Sequence, residues 1–67
     1  MQYINIIHTN SYTIVQLNYR EHIHRYLPSK SIEKNIIKTL QMYRTPKKTI
    51  DKIINELRVA WSKYENS

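Results

Sequence analysis

The clearest structural signal in the chain is the stretch TPKKTIDKIINELRVAWSKY at positions 45–64. Apolar residues recur in it at intervals of three and four, which places them on one side of an α-helix. We predict a helix that begins at Pro46 and is capped by Thr45, because Pro suits the first helical position and Thr is a good cap. Its predicted buried stripe consists of Ile50, Ile53, Ile54, Leu57, Ala60, Trp61 and Tyr64.

A second helix is predicted just before it, from an N-cap at Ser29 to about Tyr43. Its buried stripe is Ile32, Ile36, Leu40 and Tyr43, with Ile37 and Met42 on the flanks. Only Arg44 and Thr45 separate the two helices, so they must be close neighbours. We expect either a tight helical hairpin or a helix-turn-helix.

The segment from Asn18 to Leu27 is predicted as a further short helix. Asn18 and Glu21 have capping-box spacing, and apolar residues follow at helical spacing until Pro28 ends the pattern. The alternative is a third β-strand through residues 22–26. We favour the helix.

The N-terminal segment is predicted as a β-hairpin. Residues 2–7 and 12–17 are rich in β-branched and aromatic side chains, and residues 8–11 separate them. Asn10 is the predicted turn tip, because Asn tolerates a positive φ better than other residues except Gly. The fold class is therefore α+β: one small domain over residues 1–67, with an N-terminal β-hairpin followed by three helices. A homodimer is one way to cover a hairpin that buries little by itself.

Composition removes many classes of function. The 67 residues include no Cys and no Gly, which excludes thiolate metal sites, thiol nucleophiles and glycine-rich phosphate loops. On the predicted helix, His22 and His24 point about 200° apart and cannot chelate one metal ion. No Ser, His or carboxylate spacing indicates a catalytic set. We expect a protein that is not an enzyme and binds no metal or cofactor.

The positive charge is concentrated between residues 28 and 52. Eleven Lys and Arg against five Asp and Glu give the chain a net charge of +6, and this segment contains only Glu33 and Asp51 as acids. Lys30, Lys34 and Lys38 are spaced as one helical stripe. The candidate nucleic-acid-binding residues are Lys30, Lys34, Lys38, Arg44, Lys47, Lys48, Thr49, Lys52 and Asn55.

This pattern favours a small basic regulator that binds nucleic acid, with duplex DNA preferred, through the turn between the last two helices. Arg44, Lys47 and Lys48 would hold phosphates, while Thr49, Lys52 and Asn55 would face base edges. Another hypothesis is a ribbon-helix-helix-like dimer. In it, residues 12–18 form a shared strand that reads the DNA through Thr13 and Gln16.

The alternative from another class is a small phage-type inhibitor that binds an acidic surface of a host protein or a CRISPR-type nucleoprotein complex. The AT-rich codon bias implied by the Ile, Asn, Lys and Tyr content suits a phage or mobile-element gene. No stretch is apolar enough to span a bilayer and no secretion signal is evident, so we expect a cytoplasmic protein.

Overall fold

The computed structural model of the protein describes residues 2–66. Three strands, β1 (Ile4–His8), β2 (Thr13–Tyr19) and β3 (His22–Tyr26), are followed by two helices, α1 (Ile32–Met42) and α2 (Lys47–Glu65). The strands form one antiparallel sheet in the order β1-β2-β3. The prediction of a β-hairpin followed by three helices is therefore wrong: residues 18–27, predicted as the first helix, comprise the end of β2, a two-residue turn, β3 and the residue after it.

A two-residue turn without glycine brings β3 back onto β2. Tyr19 pairs with His22, and between them Arg20 and Glu21 have φ values of 49° and 67°. Two successive positive φ values are the signature of a type I′ hairpin turn, which normally uses Asn and Gly. Asn18 and Glu21 therefore belong to a strand and a turn, and the predicted capping box does not exist.

The alternation of β2 decides which face of the sheet is covered. Val15, Leu17 and Tyr19 point to one face and are buried, and Ile4 of β1 lies opposite Leu17 in the buried layer. Of the four side chains that suggested a helix, Tyr19 and Tyr26 belong to this layer. The other two do not: Ile23 is 55% exposed and Leu27 is 75% exposed.

The loop between β1 and β2 is organised by Thr9 and not by Asn10. The Thr9 amide donates to the Tyr12 carbonyl at 2.8 Å. Its hydroxyl oxygen accepts from the Ser11 and Tyr12 amides, each at 3.1 Å. Asn10 is not among the residues with positive φ, so the prediction that it supplies a left-handed turn position is wrong.

Helix α1 begins later than predicted. The Ser29 carbonyl accepts from the Ile32 amide at 3.2 Å and the Ser29 hydroxyl accepts from the Ser31 amide at 3.3 Å. Ser29 therefore shapes a turn ahead of the helix, and the N-cap is Ser31.

The turn between α1 and α2 is a Schellman motif with an arginine in the left-handed position. Arg44 has a φ of 56°; its amide donates to the Gln41 carbonyl, and the Thr45 amide donates to the Leu40 carbonyl, at 2.9 and 3.1 Å. Pro46 is the N-cap of α2, and its carbonyl accepts from two amides of the first turn. The prediction that Thr45 caps α2 through its side chain is wrong.

Both helices pack on the same face of the sheet. The Glu56 carboxylate of α2 accepts from the backbone amides of Tyr3 and Ile4 at the start of β1. At the C-cap of α1, the hydroxyl of Tyr43 is hydrogen-bonded to His24 of β3, at 2.7 Å. The side chains of Ile36, Leu40, Ile50, Ile53, Ile54 and Leu57 complete the core beneath them.

The two helices run antiparallel. Arg58 forms a two-point ion pair with Glu33, with N–O distances of 2.9 and 3.0 Å. This pair joins the start of α1 to the second half of α2. Such a contact needs a helical hairpin, since the helices of a helix-turn-helix diverge at about 90–120°.

No helix within residues 2–66 is both long and apolar enough to cross a membrane.

Replacing Glu21 with glycine tests the type I′ turn. We expect Glu21→Gly to raise the free energy of unfolding by about 1 kcal/mol, because glycine adopts a positive φ without a Cβ clash. Chemical denaturation measures the change. Ser11→Gly is the matched control in a loop position without positive φ, and it should give no gain. If residues 18–27 were helical, Glu21→Gly would instead lower the free energy of unfolding by about 1 kcal/mol. That result would contradict the hairpin turn between β2 and β3.

Candidate functional site

Eight of the nine residues predicted to contact nucleic acid are exposed on the helical hairpin. We call the exposed eight the basic face; they are Lys30, Lys34, Lys38, Arg44, Lys47, Lys48, Lys52 and Asn55. The ninth, Thr49, is half-buried in the first turn of α2. It is therefore the least accessible of the candidates for base contact.

Three lysines of the basic face lie together beside α1. Lys30, Lys34 and Lys38 line one shallow depression whose other polar residues are Ser29, Glu33 and Gln41. Ile36 and Leu40, on the opposite side of α1, are fully buried against the core. The predicted lysine stripe is thus a solvent-facing surface.

The α2 side of the basic face is a similar stripe. Lys48, Lys52 and Asn55 are exposed and follow one another at helical spacing, with Val59 next along the helix at 47% exposure. Since both helices bury their other side on the same sheet face, these exposed stripes lie together on the outer side of the helix layer.

The structure adds Arg20 to this surface, a residue that sequence reasoning set apart. The Arg20 guanidinium donates to the Tyr43 carbonyl at 3.2 Å, and it lies 5.1 Å from the centre of the Tyr19 ring. Tyr43 directly precedes Arg44, so the β2–β3 turn brings Arg20 to the turn between the helices. The sequence carries no Asn-Gly or similar turn signal at residues 20–21, so it gave no indication that Arg20 lies there.

Two histidines lie beside the same turn. On the strand, His22 and His24 share a face with ring centres 6.5 Å apart, and His22 stacks on Tyr43 at 5.4 Å. The prediction that they point in different directions is therefore wrong. Within residues 2–66, no group of three or more His, Cys, Asp or Glu side chains is arranged to hold a metal ion.

The acidic residues near the basic face do little to neutralise it. Glu33 pairs with Arg58, and this is the only ion pair between residues 2 and 66. The hydrogen bonds from Arg58 lower the pKa of Glu33, against a smaller opposing effect of burial. Glu56 is turned to the β1 backbone. The cations of the basic face therefore have no carboxylate partner in the described part of the chain.

An apolar groove, which shares part of its lining with the lysine depression, lies between the start of α1 and the second half of α2. Its lining includes Pro28, Ile32, Leu57 and Trp61, and its volume is about 460 Å³. The Glu33–Arg58 pair closes one side of it. Its apolar lining distinguishes it from the lysine depression next to it.

The chain matches no protein-family model, and comparison with curated proteins and with solved structures gives no match.

A valine at position 45 tests the assignment of the α2 cap. The Thr45 side chain is 8% exposed and its hydroxyl has no hydrogen-bond partner among the described residues. Thr45→Val removes a buried, unsatisfied polar group while keeping the shape, so we expect the free energy of unfolding to rise by about 1 kcal/mol. Thermal and denaturant unfolding measure it. A decrease of about 1 kcal/mol would instead indicate a lost side-chain cap.

The Glu33–Arg58 pair makes a small part of the stability depend on pH. Because the pKa of Glu33 is lower in the folded protein than its ordinary value of 4.5, its contribution is complete above that value and is lost as pH falls through the folded pKa. We expect the melting temperature of Glu33→Gln to lie below that of the wild type at pH 7. The melting temperatures of the variant and the wild type should converge at acidic pH. A difference that persists unchanged at pH 2 would contradict the ion pair as its cause.

Proposed function

We propose that the protein is a non-enzymatic nucleic-acid-binding regulator that contacts phosphates through the α1–α2 turn. The observation that carries this proposal is the group of unpaired cations where two turns meet: Arg20, Arg44, Lys47 and Lys48. Phosphate binding through Lys and Arg releases condensed counterions and is strongly salt-dependent. We expect it to act in the cytoplasm of its host, and we propose a phage or mobile element as the source.

Two features support a role for these cations beyond solubility. The first turn of α2 contains two lysines and no acidic residue, although the helix dipole disfavours cations there. Arg44 occupies a left-handed position where glycine would cost less. Both choices carry a small loss of stability, and both put positive charge at the same end of the domain.

Duplex DNA is the preferred ligand. Asn55 presents an exposed carboxamide on α2 beside Lys48 and Lys52, and DNA-binding proteins combine phosphate contacts with such contacts to base edges. The helical hairpin argues against α2 as a recognition helix that enters a groove. Since α2 is packed along its length against α1 and the sheet, we expect it to contact phosphates through its first turns.

A second candidate function, the protein-binding inhibitor, is favoured by the apolar groove beside Trp61. Tryptophan in a groove is a common anchor for a protein interface. The charged residues of the groove balance, so an acidic partner would be attracted by the neighbouring lysines of the basic face. Affinity capture from a host lysate after nuclease treatment distinguishes the two functions. A stoichiometric protein that survives nuclease supports the inhibitor, and loss of all bound material supports nucleic-acid binding.

Charge reversal at the turn tests the primary proposal. We expect Lys48→Glu to weaken binding to a duplex DNA by about 10-fold at low salt and to reduce the salt slope by at least one, since each phosphate contact contributes about one to that slope. Lys47→Glu together with Lys48→Glu should abolish binding. Gel shifts over a series of salt concentrations give both quantities.

The matched control is Lys63→Glu, which makes the same charge change at an exposed position near the other end of α2. It should reduce affinity much less than Lys48→Glu. Binding that is absent in the wild type, or that does not change with salt, would contradict the proposal. Equal losses for both variants would show that overall charge and not the turn controls affinity.

A further inference from the structure

The face of the sheet away from the helices carries its own pattern. Because side chains alternate along a strand and cross-strand partners share a face, the register assigns seven residues to this side. We call them the outer sheet face; they are Asn5, Ile7, Ile14, Gln16, Asn18, Ile23 and Arg25. None of the seven is acidic, and no described element of the chain covers them.

A row of hydrogen-bonding side chains crosses all three strands on this face. Asn5 pairs with Gln16, and Gln16 pairs with Arg25. Asn5 and Arg25 are exposed and Gln16 is half-buried. The side-chain NH2 group of Gln16 donates to the side-chain oxygen of Asn18 at 3.2 Å. This hydrogen bond orients the Gln16 carboxamide and leaves the carboxamide oxygen available. The row therefore consists of the Asn5 carboxamide, the Gln16 carboxamide and the Arg25 guanidinium, one from each strand.

We propose that the outer sheet face enters the major groove of duplex DNA and reads base edges through Asn5, Gln16 and Arg25. The inference rests on the proposed function and names the surface that would give it sequence preference. The chemistry is that of direct readout: Asn and Gln match the donor and acceptor of adenine, and the Arg fork matches the two acceptors of guanine.

The length of the polar row matches the width of the groove. Neighbouring strands lie about 4.8 Å apart, so the three side chains of the row span about 10 Å, against a major groove about 12 Å wide. Ile14 and Ile23 flank the polar row on the same face, and Ile23 is 55% exposed. Their methyl groups suit contact with the thymine methyl, which is the apolar feature of that groove.

The phosphate-binding turn and the outer sheet face meet at one end of the domain. Arg20 follows β2 four residues after Gln16, which is about 13 Å along the strand, and it contacts the backbone beside Arg44. A duplex whose groove receives the polar row would bring a phosphate strand past this end. The lysines of α1 lie on the opposite side of the sheet and would contribute to this complex only at long range.

The test is selection of preferred sequences from a random pool of duplexes by the full chain and by two variants. Arg25→Lys keeps the charge but removes the two-point fork, and Gln16→Ala removes the carboxamide. We expect each to lower the ratio of specific to non-specific affinity by about 10-fold, with non-specific affinity at low salt changed less than about 2-fold. Gln41→Ala and Lys63→Arg are the matched controls on the helices and should keep the wild-type preference.

The outcomes separate this inference from the proposed function. Salt-dependent duplex binding without any preferred sequence, or a preference unchanged in both variants, overturns the inference and leaves the proposed function standing. Failure of the wild type to bind duplex overturns both. If the wild type sediments as a dimer and Ile23→Asp makes it monomeric, a second copy covers the outer sheet face, and the inference is overturned.

Discussion

The central strand β2 is the element on which the rest of the structure depends. Hydrogen bonding to β1 and β3 uses both of its edges, and its inward side chains Val15, Leu17 and Tyr19 supply the sheet's part of the core. In the ribbon-helix-helix hypothesis this strand was to pair with a second copy, but no free edge is left for that. Thr13, one of its proposed readers, points inward, where its hydroxyl lies 3.2 Å from that of Tyr64. Only the opposite side of β2, with Gln16 and Asn18, remains open to a ligand.

A chain without glycine must turn by other means, and this constraint shapes the charged surface. Arg20, Glu21 and Arg44 occupy the positive-φ positions. Two of the three are arginines, and the contact between Arg20 and the Tyr43 carbonyl brings both to the same end of the domain. Backbone geometry and electrostatics are therefore coupled here: the residues that close the two turns are also the ones that extend the basic face beyond the lysines of the helices.

The two long helices and the first two strands were predictable from the sequence, whereas β3 was not. The apolar stripe of α2 is buried or half-buried as expected, because a helix of 19 residues repeats its pattern often enough to be unambiguous. The five residues of β3 do not, and Tyr19, Ile23 and Tyr26 recur at helical spacing. The register instead puts Tyr19 and Tyr26 on the inner face of the sheet and Ile23 on the outer face. The missing Asn-Gly signal removed the usual evidence for a turn at 20–21. The lysine and arginine candidates could be listed from the sequence, but the position of Arg20 and the polar row of the outer sheet face depend on strand register.

The central claim is that this domain binds duplex DNA at the end where the β2–β3 and α1–α2 turns meet. Amide chemical shifts of the labelled protein, recorded while a duplex is added at low and at high salt, test it most directly. The account predicts perturbations centred on residues 20 and 44–48 that extend along the outer sheet face and disappear at high salt. Perturbations confined to the apolar groove around Trp61, or none at all, would contradict it.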